Sequence, residues 1–159
     1  VPSAQAIIPG ILELQKHCLS KGIPVYLSRH VNTQENAGMM GVRWKEIIQE
    51  DDPWSEIIPE LQHPEAKILK KNQFDAFYNT ELEEALKSSN IHQLVITGVM
   101  ANLCCETTVR SAFVRGFEPI FPLDGTAAYN YDFHVSTFMN LSYGFIHPFL
   151  LDEVIQKIK

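Results

Sequence analysis

The sequence has few cysteines and no pairing pattern among them, which argues against two kinds of cross-linked protein. Cys18, Cys104 and Cys105 are an odd set, and two of them are adjacent in the chain. A structural zinc site needs closely spaced pairs of ligands, and a disulfide framework needs an even number of cysteines spread along the chain. We therefore expect reduced thiols.

Basic residues and long apolar runs are also scarce. The 13 lysines and arginines are outnumbered by 19 aspartates and glutamates, and the formal net charge is −6. Nucleic acid binding calls for a basic patch, so no nucleic-acid partner is expected. No apolar run is long enough to cross a membrane, and no basic-then-apolar leader is visible. These absences predict a cytoplasmic protein without a membrane partner.

The glycine patterns that cradle phosphates in mononucleotide and dinucleotide sites are absent as well. Their absence predicts that the protein uses no nucleotide cofactor. The composition is that of a folded globular protein, with 45% apolar and 20% charged residues. The length predicts a single domain, residues 1–159, built around one core.

Segments with apolar residues at helical spacing alternate along this chain with short apolar runs of strand length. Strands are predicted at residues 23–27, 67–69, 94–97 and 118–123, with helices between them and at both ends. This alternation predicts an α/β fold, a three-layer αβα sandwich with a parallel, Rossmann-like sheet. Ligands bind such sheets at the carboxyl ends of the strands.

Cys104 follows a predicted strand and a tight turn, and it lies in the first turn of a predicted helix that ends near Arg115. The first amide N–H groups of a helix are unpaired and carry partial positive charge, so a thiol placed there ionises more readily. The alternative is a small buried core thiol, which is what most free cysteines are. Cys105 points about 100° away around the helix and is predicted to belong to the core.

Two adjacent lysines, Lys70 and Lys71, follow the predicted strand at residues 67–69. Adjacent strand residues point to opposite faces, so only one of these lysines can face the same cleft as Cys104. We choose Lys71 as the candidate. The alternative for both residues is a solvated strand end.

The residues around these two candidates resemble the isochorismatase-like cysteine hydrolase family. Lys71-Asn-Gln-Phe74-Asp-Ala-Phe77 is similar to the family's lysine motif, and Gly98-Val-Met-Ala-Asn-Leu-Cys104 is similar to its cysteine motif. Asp124-Gly-Thr-Ala-Ala, with His134 downstream, resembles the segment that follows in the same family. The resemblance covers nearly the whole chain.

The resemblance implies that Cys104 is the nucleophile and Lys71 the cation that holds its thiolate. The implied reaction is hydrolysis of a small amide or related C–N bond through a thioester, with no metal and no organic cofactor. It also implies a cis peptide bond between Val99 and Met100, in the turn that forms the oxyanion hole with Cys104. Relatives of this kind form homo-oligomers, and apolar residues near the carboxyl terminus offer an interface: Phe145, Phe149 and Leu150.

Two departures from the family pattern affect these expectations. The family's threonine three residues after the glycine is Ala101 here. The family's catalytic aspartate lies at the end of a strand before the first helix, whereas this chain begins at that helix. Because this would be a central strand, we expect the natural protein to carry about 20–30 further N-terminal residues that include the aspartate.

Six further residues are candidates for the substrate pocket. Four are aromatic and could form its wall, and two follow the first strand: Trp44, Phe74, Phe77, Tyr129, Arg29 and His30. Ser28-Arg29-His30 stands where some relatives bind a metal through Asp-x-His, and the missing carboxylate predicts no metal.

Three alternatives remain open. Cys104, His134 and Asp124 could form a Cys-His-Asp triad, or His134 and Asp124 could have structural roles. The reaction could be the vinyl ether hydrolysis of isochorismatase, which relies on the acid and not on a thiol. The protein could also be a non-catalytic binding or assembly member of the same fold.

Overall fold

The computed structural model describes residues 1–158. Its six helices are α1 (Ala4–Ser20), α2 (Met39–Arg43), α3 (Leu82–Ser88), α4 (Glu106–Val114), α5 (Tyr131–Gly144) and α6 (Leu151–Lys157). Its seven strands are β1 (Tyr26–His30), β2 (Lys67–Lys71), β3 (Gln93–Val95), β4 (Gly98–Val99), β5 (Glu118–Pro122), β6 (Thr126–Ala127) and β7 (Pro148–Phe149).

All strand pairs in the described residues are parallel, and they form three hydrogen-bonded groups. One group is β1 beside β2. The second is β3, β5 and β7 in that order, and the third is the short pair β4 and β6, which follow β3 and β5 in the chain. Strands of this kind need helical crossovers between them, and α3, α4 and α5 supply these connections.

Helices cover both faces of the sheet, which gives the predicted three-layer αβα sandwich. On one face Leu14, Cys18 and Leu151 of α1 and α6 pack against strand residues that include Val95. On the opposite face the core contains residues of β2, α3 and α4, among them Leu69, Leu82, Leu86 and Ala112. Adjacent residues of β3 serve the two faces in turn, as the strand period of two requires. The predicted fold is confirmed.

A gap separates β1 from β3. No pairing between them occurs within residues 1–158, and both strands line a cavity of about 680 Å³. Cys104 and Lys71 line the same cavity. The gap therefore opens next to the two candidate catalytic residues.

Local contacts accompany several helix boundaries. Helix α1 continues through Pro9. Helix α3 begins at Leu82, and the Thr80 hydroxyl donates to the Ala76 carbonyl at 2.6 Å. Asn130 caps α5, where its Oδ1 accepts from the Phe133 N–H at 2.8 Å. No helix in residues 1–158 has both the length and the apolar character needed to span a bilayer.

Candidate active site

Cys104 lies at the junction between β4 and α4. The peptide bond between Val99 and Met100 is cis, and a π-helical turn, Ala101–Cys105, then leads into the regular helix at Glu106. The Met100 carbonyl accepts from the N–H groups of Leu103 and Cys105 at 3.1 and 3.2 Å. Cys104 is therefore held just before α4, and not within its first turn as predicted.

Lys71 is the last residue of β2, and its side chain is buried with only 6% exposed. Its Nζ donates to the Gln73 carbonyl at 2.8 Å and lies 3.6 Å from the Cys104 Sγ. The neighbouring Lys70 is exposed and its Nζ lies 2.9 Å from Glu50. Strand alternation therefore sends the two lysines to opposite faces, and the structure brings Lys71 and Cys104 together.

Cys104 and Cys105 have different surroundings although they are adjacent in the chain. Cys104 is partly exposed, whereas Cys105 is buried with 4% exposed. The Cys105 thiol donates to the Thr97 carbonyl at 3.8 Å, and burial raises the pKa of Cys105 far above its ordinary value. Cys105 is thus kept as a neutral thiol, and Cys104 is the cysteine placed for chemistry.

His30 lies opposite Lys71 in the β1–β2 register, at the same end of the sheet as Cys104. Its Nε2 is 2.7 Å from the Asn32 Oδ1, and Asn32 is almost completely buried. Burial lowers the pKa of His30, the hydrogen bond with Asn32 opposes this, and the charge of Lys71 adds to the lowering. The imidazole is therefore neutral at neutral pH, and it can accept or donate a hydrogen bond.

Arg29 is not brought to Cys104. Its guanidinium forms ion pairs with Glu50 at 2.5 Å and Glu56 at 2.6 Å, and it also donates to the Ser55 hydroxyl at 2.8 Å. These contacts fix the loop that contains residues 50–56. The side chain is fully engaged in bracing this loop, so its placement does not support a contact with substrate.

The four aromatic candidates occupy different environments. Phe77 is buried, lines the cavity beside Cys104 and stacks on Phe117 with ring centroids 5.7 Å apart. Trp44 is 37% exposed and lies under the Arg43 guanidinium. Phe74 is half-buried and Tyr129 is 65% exposed. Of the four, Phe77 is the one that lines the cavity with Cys104.

The structure gives Asp124 and His134 structural roles, which removes support for a Cys-His-Asp triad. The Asp124 Oδ1 accepts from the Leu151 N–H at 2.7 Å, at the start of α6. The His134 ring stacks on Phe138 with centroids 4.9 Å apart, and burial lowers the pKa of His134. Within residues 1–158, no three His, Cys, Asp or Glu side chains are grouped as a metal site requires.

Sequence reasoning missed two groups that help to build the site. The Gln73 carbonyl is the closest partner of the Lys71 ammonium, and backbone carbonyls leave no trace in the sequence. Thr108 lies four residues after Cys104 and contacts the segment that follows Lys71. The helical spacing of Cys104 and Thr108 is a signal that could have identified this threonine.

Comparisons with known proteins identify the family. The Isochorismatase domain model matches residues 1–152. The chain is 36% identical over 150 residues to nicotinamidase 3 of Arabidopsis thaliana. The aligned region covers 91% of this chain and 75% of that protein. It is 31% identical to N-carbamoylsarcosine amidase of Arthrobacter sp, over 76% of this chain and 49% of the relative.

Solved structures agree. A cysteine hydrolase from Pseudomonas syringae pv. phaseolicola superposes with a TM-score of 0.95 and 25% identity, over 99% of this chain and 82% of that one. The chain thus spans from about half to about four fifths of these relatives. The match over residues 1–152 and the shared fold show that this chain belongs to the isochorismatase domain family of hydrolases.

Proposed function

We propose that this isochorismatase-family hydrolase cleaves the C–N bond of a small amide through a thioester on Cys104. The observation that carries the proposal is the 3.6 Å approach of the buried Lys71 ammonium to the partly exposed Cys104 sulfur. A cation so close to a thiol favours the thiolate, which is the nucleophilic form. The relatives named nicotinamidase and amidase favour an amide as the bond that is broken.

The proposed chemistry has two stages. The Cys104 thiolate attacks the carboxamide carbon, the S–C bond forms, and the resulting tetrahedral oxyanion collapses with loss of ammonia or an amine that takes up a proton. Water then attacks the thioester, which releases the carboxylic acid and regenerates the thiolate. The Lys71 side chain stabilises the thiolate at the start and end of this cycle.

The turn between β4 and α4 is the proposed oxyanion hole. The N–H groups of Val99, Met100 and Cys104 belong to this turn, and Val99 lines the cavity together with Cys104. Backbone donors fixed in place before the reaction stabilise the charge that develops on the carbonyl oxygen. His30 and Phe77 are proposed to contact the substrate, because His30 lies opposite Lys71 and Phe77 lines the cavity.

The cycle also needs a group that transfers protons to the leaving amine and from the water. The catalytic aspartate that the resemblance implies is our candidate for this role, and we propose that an extended segment bearing it fills the gap between β1 and β3. Parallel strands use alternate residues to bond each neighbour. Val25 and Val31 bond to β2, so the backbone groups of Tyr26 and Ser28 face the gap.

A buried polar atom supports the same proposal. Gln15 is 4% exposed and lines the cavity, its Nε2 donates to the Leu61 carbonyl at 3.0 Å, and its Oε1 has no hydrogen-bond partner within residues 1–158. A buried carbonyl oxygen without a donor is costly. An N–H group from a segment in the gap would satisfy it.

Ammonia release by the native full-length protein tests the amidase proposal on nicotinamide, carbamoyl and ureido compounds. Cys104→Ser is expected to lower the rate by at least about 10³-fold, since a neutral hydroxyl replaces the thiolate. Cys105→Ser is the matched control, because it makes the same chemical change at the next residue and retains a donor for the Thr97 carbonyl. The rate of this variant is expected to match that of the wild type. Mass spectrometry of the stalled reaction is expected to show an acyl group on Cys104.

The two rival functions predict other outcomes. A vinyl ether hydrolase would release no ammonia from these amides, would cleave a vinyl ether substrate, and would keep that activity after Cys104 is alkylated with iodoacetamide. A non-catalytic member of the fold would release no ammonia from any of these amides, with or without the substitution. Either result would overturn the amidase proposal.

A cytoplasmic homo-oligomer with small-molecule substrates remains our prediction for the whole protein. Of the predicted interface residues, Phe145 packs edge-to-face on Phe113, Phe149 is half-buried, and Leu150 is exposed. Apolar exposure is greater along α5, at Tyr131, Met139 and Tyr143. Light scattering of the purified protein tests the oligomeric state.

A further inference from the structure

One face of α4 and its preceding turn carries three polar or reactive side chains. Cys104, Thr108 and Ser111 have the spacing i, i+4, i+7, which places them on one side of a helix. Cys104 and Thr108 line the same cavity. Both hydroxyls contact the chain that follows Lys71, here termed the lysine segment, residues 71–77.

Thr108 contacts the middle of the lysine segment. Its Oγ1 accepts from the Ala76 N–H at 3.1 Å and donates to the Phe74 carbonyl at 3.5 Å. Thr108 is 8% exposed, and the bond to Ala76 is buried. Ser111 donates to the Asp75 carboxylate at 2.5 Å, one turn further along the helix.

The same segment sets the position of the ammonium group. The Gln73 carbonyl accepts from the Lys71 Nζ at 2.8 Å, and this Nζ lies 3.6 Å from the Cys104 sulfur. Gln73 is adjacent to Phe74, whose carbonyl accepts a hydrogen bond from the Thr108 hydroxyl. A shift of the segment would therefore move the Gln73 carbonyl and draw the ammonium away from the sulfur.

The outer side of the lysine segment has its own anchors. The Gln73 side chain donates to the Ala37 carbonyl at 3.1 Å, and the Asn72 side chain donates to the Asn36 carbonyl at 3.2 Å. These bonds tie the segment to another loop. Thr108 and Ser111 tie it to the helix that follows Cys104, so they fix the distance between nucleophile and cation.

We propose that Thr108 is a positioning residue that holds the Lys71 ammonium against the Cys104 thiolate through the lysine segment. The proposal rests on the proposed function for its kinetic consequence, but its effect on the thiol can be measured without any substrate. Loss of the hydroxyl leaves the Ala76 N–H buried without an acceptor, and the segment moves to regain one. Charge stabilisation between ammonium and thiolate then weakens with distance.

The test compares Thr108→Val, which keeps the side-chain volume and removes the hydroxyl, with Thr108→Ser, which keeps the hydroxyl. Thr107→Val is the matched control on the same helix, since Thr107 has no side-chain hydrogen bond within residues 1–158. The first readout is the rate of Cys104 alkylation by iodoacetamide as a function of pH. The second is kcat and KM for the amide that the full-length protein hydrolyses.

In Thr108→Val the midpoint of the alkylation profile is expected to move upward, as weaker contact with a cation implies. Its kcat/KM near neutral pH is expected to fall on the order of 10-fold, with KM nearly unchanged. This defect shrinks as the pH rises, because the thiolate then forms without help from Lys71. Thr108→Ser and Thr107→Val are expected to retain the wild-type profile.

A defect in Thr108→Val that is the same at every pH would assign Thr108 a purely structural role and overturn the proposal. So would an alkylation profile equal to that of Thr107→Val. If Thr108→Val does not fold, as judged by circular dichroism, Ser111→Ala must show the upward shift, and a wild-type profile there overturns the proposal. Failure of the amidase proposal is seen separately, as no ammonia release from any amide while the alkylation shift persists.

Discussion

The buried Lys71 ammonium needs partners that replace its lost water. It has the Gln73 carbonyl at 2.8 Å and the Cys104 sulfur at 3.6 Å. A thiolate is a much better partner for a cation than a neutral thiol, since ionised acceptors form the stronger hydrogen bonds. In the proposed mechanism the Lys71 ammonium and the Cys104 thiolate therefore stabilise each other.

Lys71→Met tests this dependence with a side chain of similar length and no charge. We expect kcat/KM to fall on the order of 10²-fold, as with loss of one preorganised electrostatic contact. The melting temperature of each variant is measured beside the rate, so that loss of folding is distinguished from loss of activity. Lys70→Met is the control, since Lys70 is exposed and pairs with Glu50 instead. Equal activity in the two variants would contradict the role of Lys71.

Two partly buried histidines, His30 and His134, make stability depend on pH. Burial lowers the pKa of His30 and of His134 from the ordinary value of 6.5. The unfolded chain then binds more protons than the folded one as the pH falls through 6.5, so the free energy of unfolding decreases in acid. Urea titrations at pH 7.5 and 5.5 are expected to show this loss.

His30→Gln separates the contribution of His30 from that of His134. Glutamine retains a polar group near the Asn32 side chain but does not titrate. The loss of stability between the two pH values should be smaller in this variant than in the wild type. An unchanged loss would assign the acid sensitivity to other groups.

At the scale of elements, the ends of strands and helices decide which side chains meet. The sequence alone predicted that Lys70 and Lys71 point to opposite faces of β2, because side chains alternate along a strand with a period of two. The π-helical turn at residues 101–105 was not predicted, because it depends on which carbonyl each amide selects and not on a pattern of residue types. The Arg29 ion pairs were also missed, since their partners lie 21 and 27 residues away in an irregular loop.

Helix α5 depends on its cap, and one substitution tests this. Asn130→Ala removes the acceptor for the Phe133 N–H, and the free energy of unfolding is expected to fall by about 1 kcal/mol. Asn140→Ala makes the same change inside the helix, where alanine has the higher helix propensity, and should be neutral or stabilising. Chemical denaturation of both variants gives the comparison. A loss in Asn140→Ala as large as that in Asn130→Ala would contradict the capping role.

At the scale of the whole molecule, the parallel strands are divided between β1 and β3, and both of these strands line a cavity of about 680 Å³. The layers and the parallel strands were predicted from periodicity, and the proximity of Lys71 to Cys104 from strand alternation and the resemblance. The hydrogen bonds that Thr108 and Ser111 make to the lysine segment were not predicted, because side-chain contacts across 32 or 36 residues have no local signature.

Hydrogen exchange tests whether the two inner strand edges are open. The amide of Val31 donates to the Lys71 carbonyl and that of Ile96 to the Ile120 carbonyl, so both are expected to exchange slowly. The amides of Tyr26 and Ser28, which face the gap, are expected to exchange faster in residues 1–159 than in a protein whose gap is filled. If the Tyr26 and Ser28 amides were equally protected in the two proteins, this result would argue against an added strand between β1 and β3.

The alternation along β2 also constrains how this gene can change. Removing or adding a single codon before the end of this strand would exchange the two neighbouring lysines, so that the exposed one turned inward and the enclosed one turned to solvent. Many point changes on the outer face of β2 would leave the Cys104 sulfur beside the Lys71 amine. We therefore expect natural variants to tolerate substitution along this strand far more readily than any change in its length.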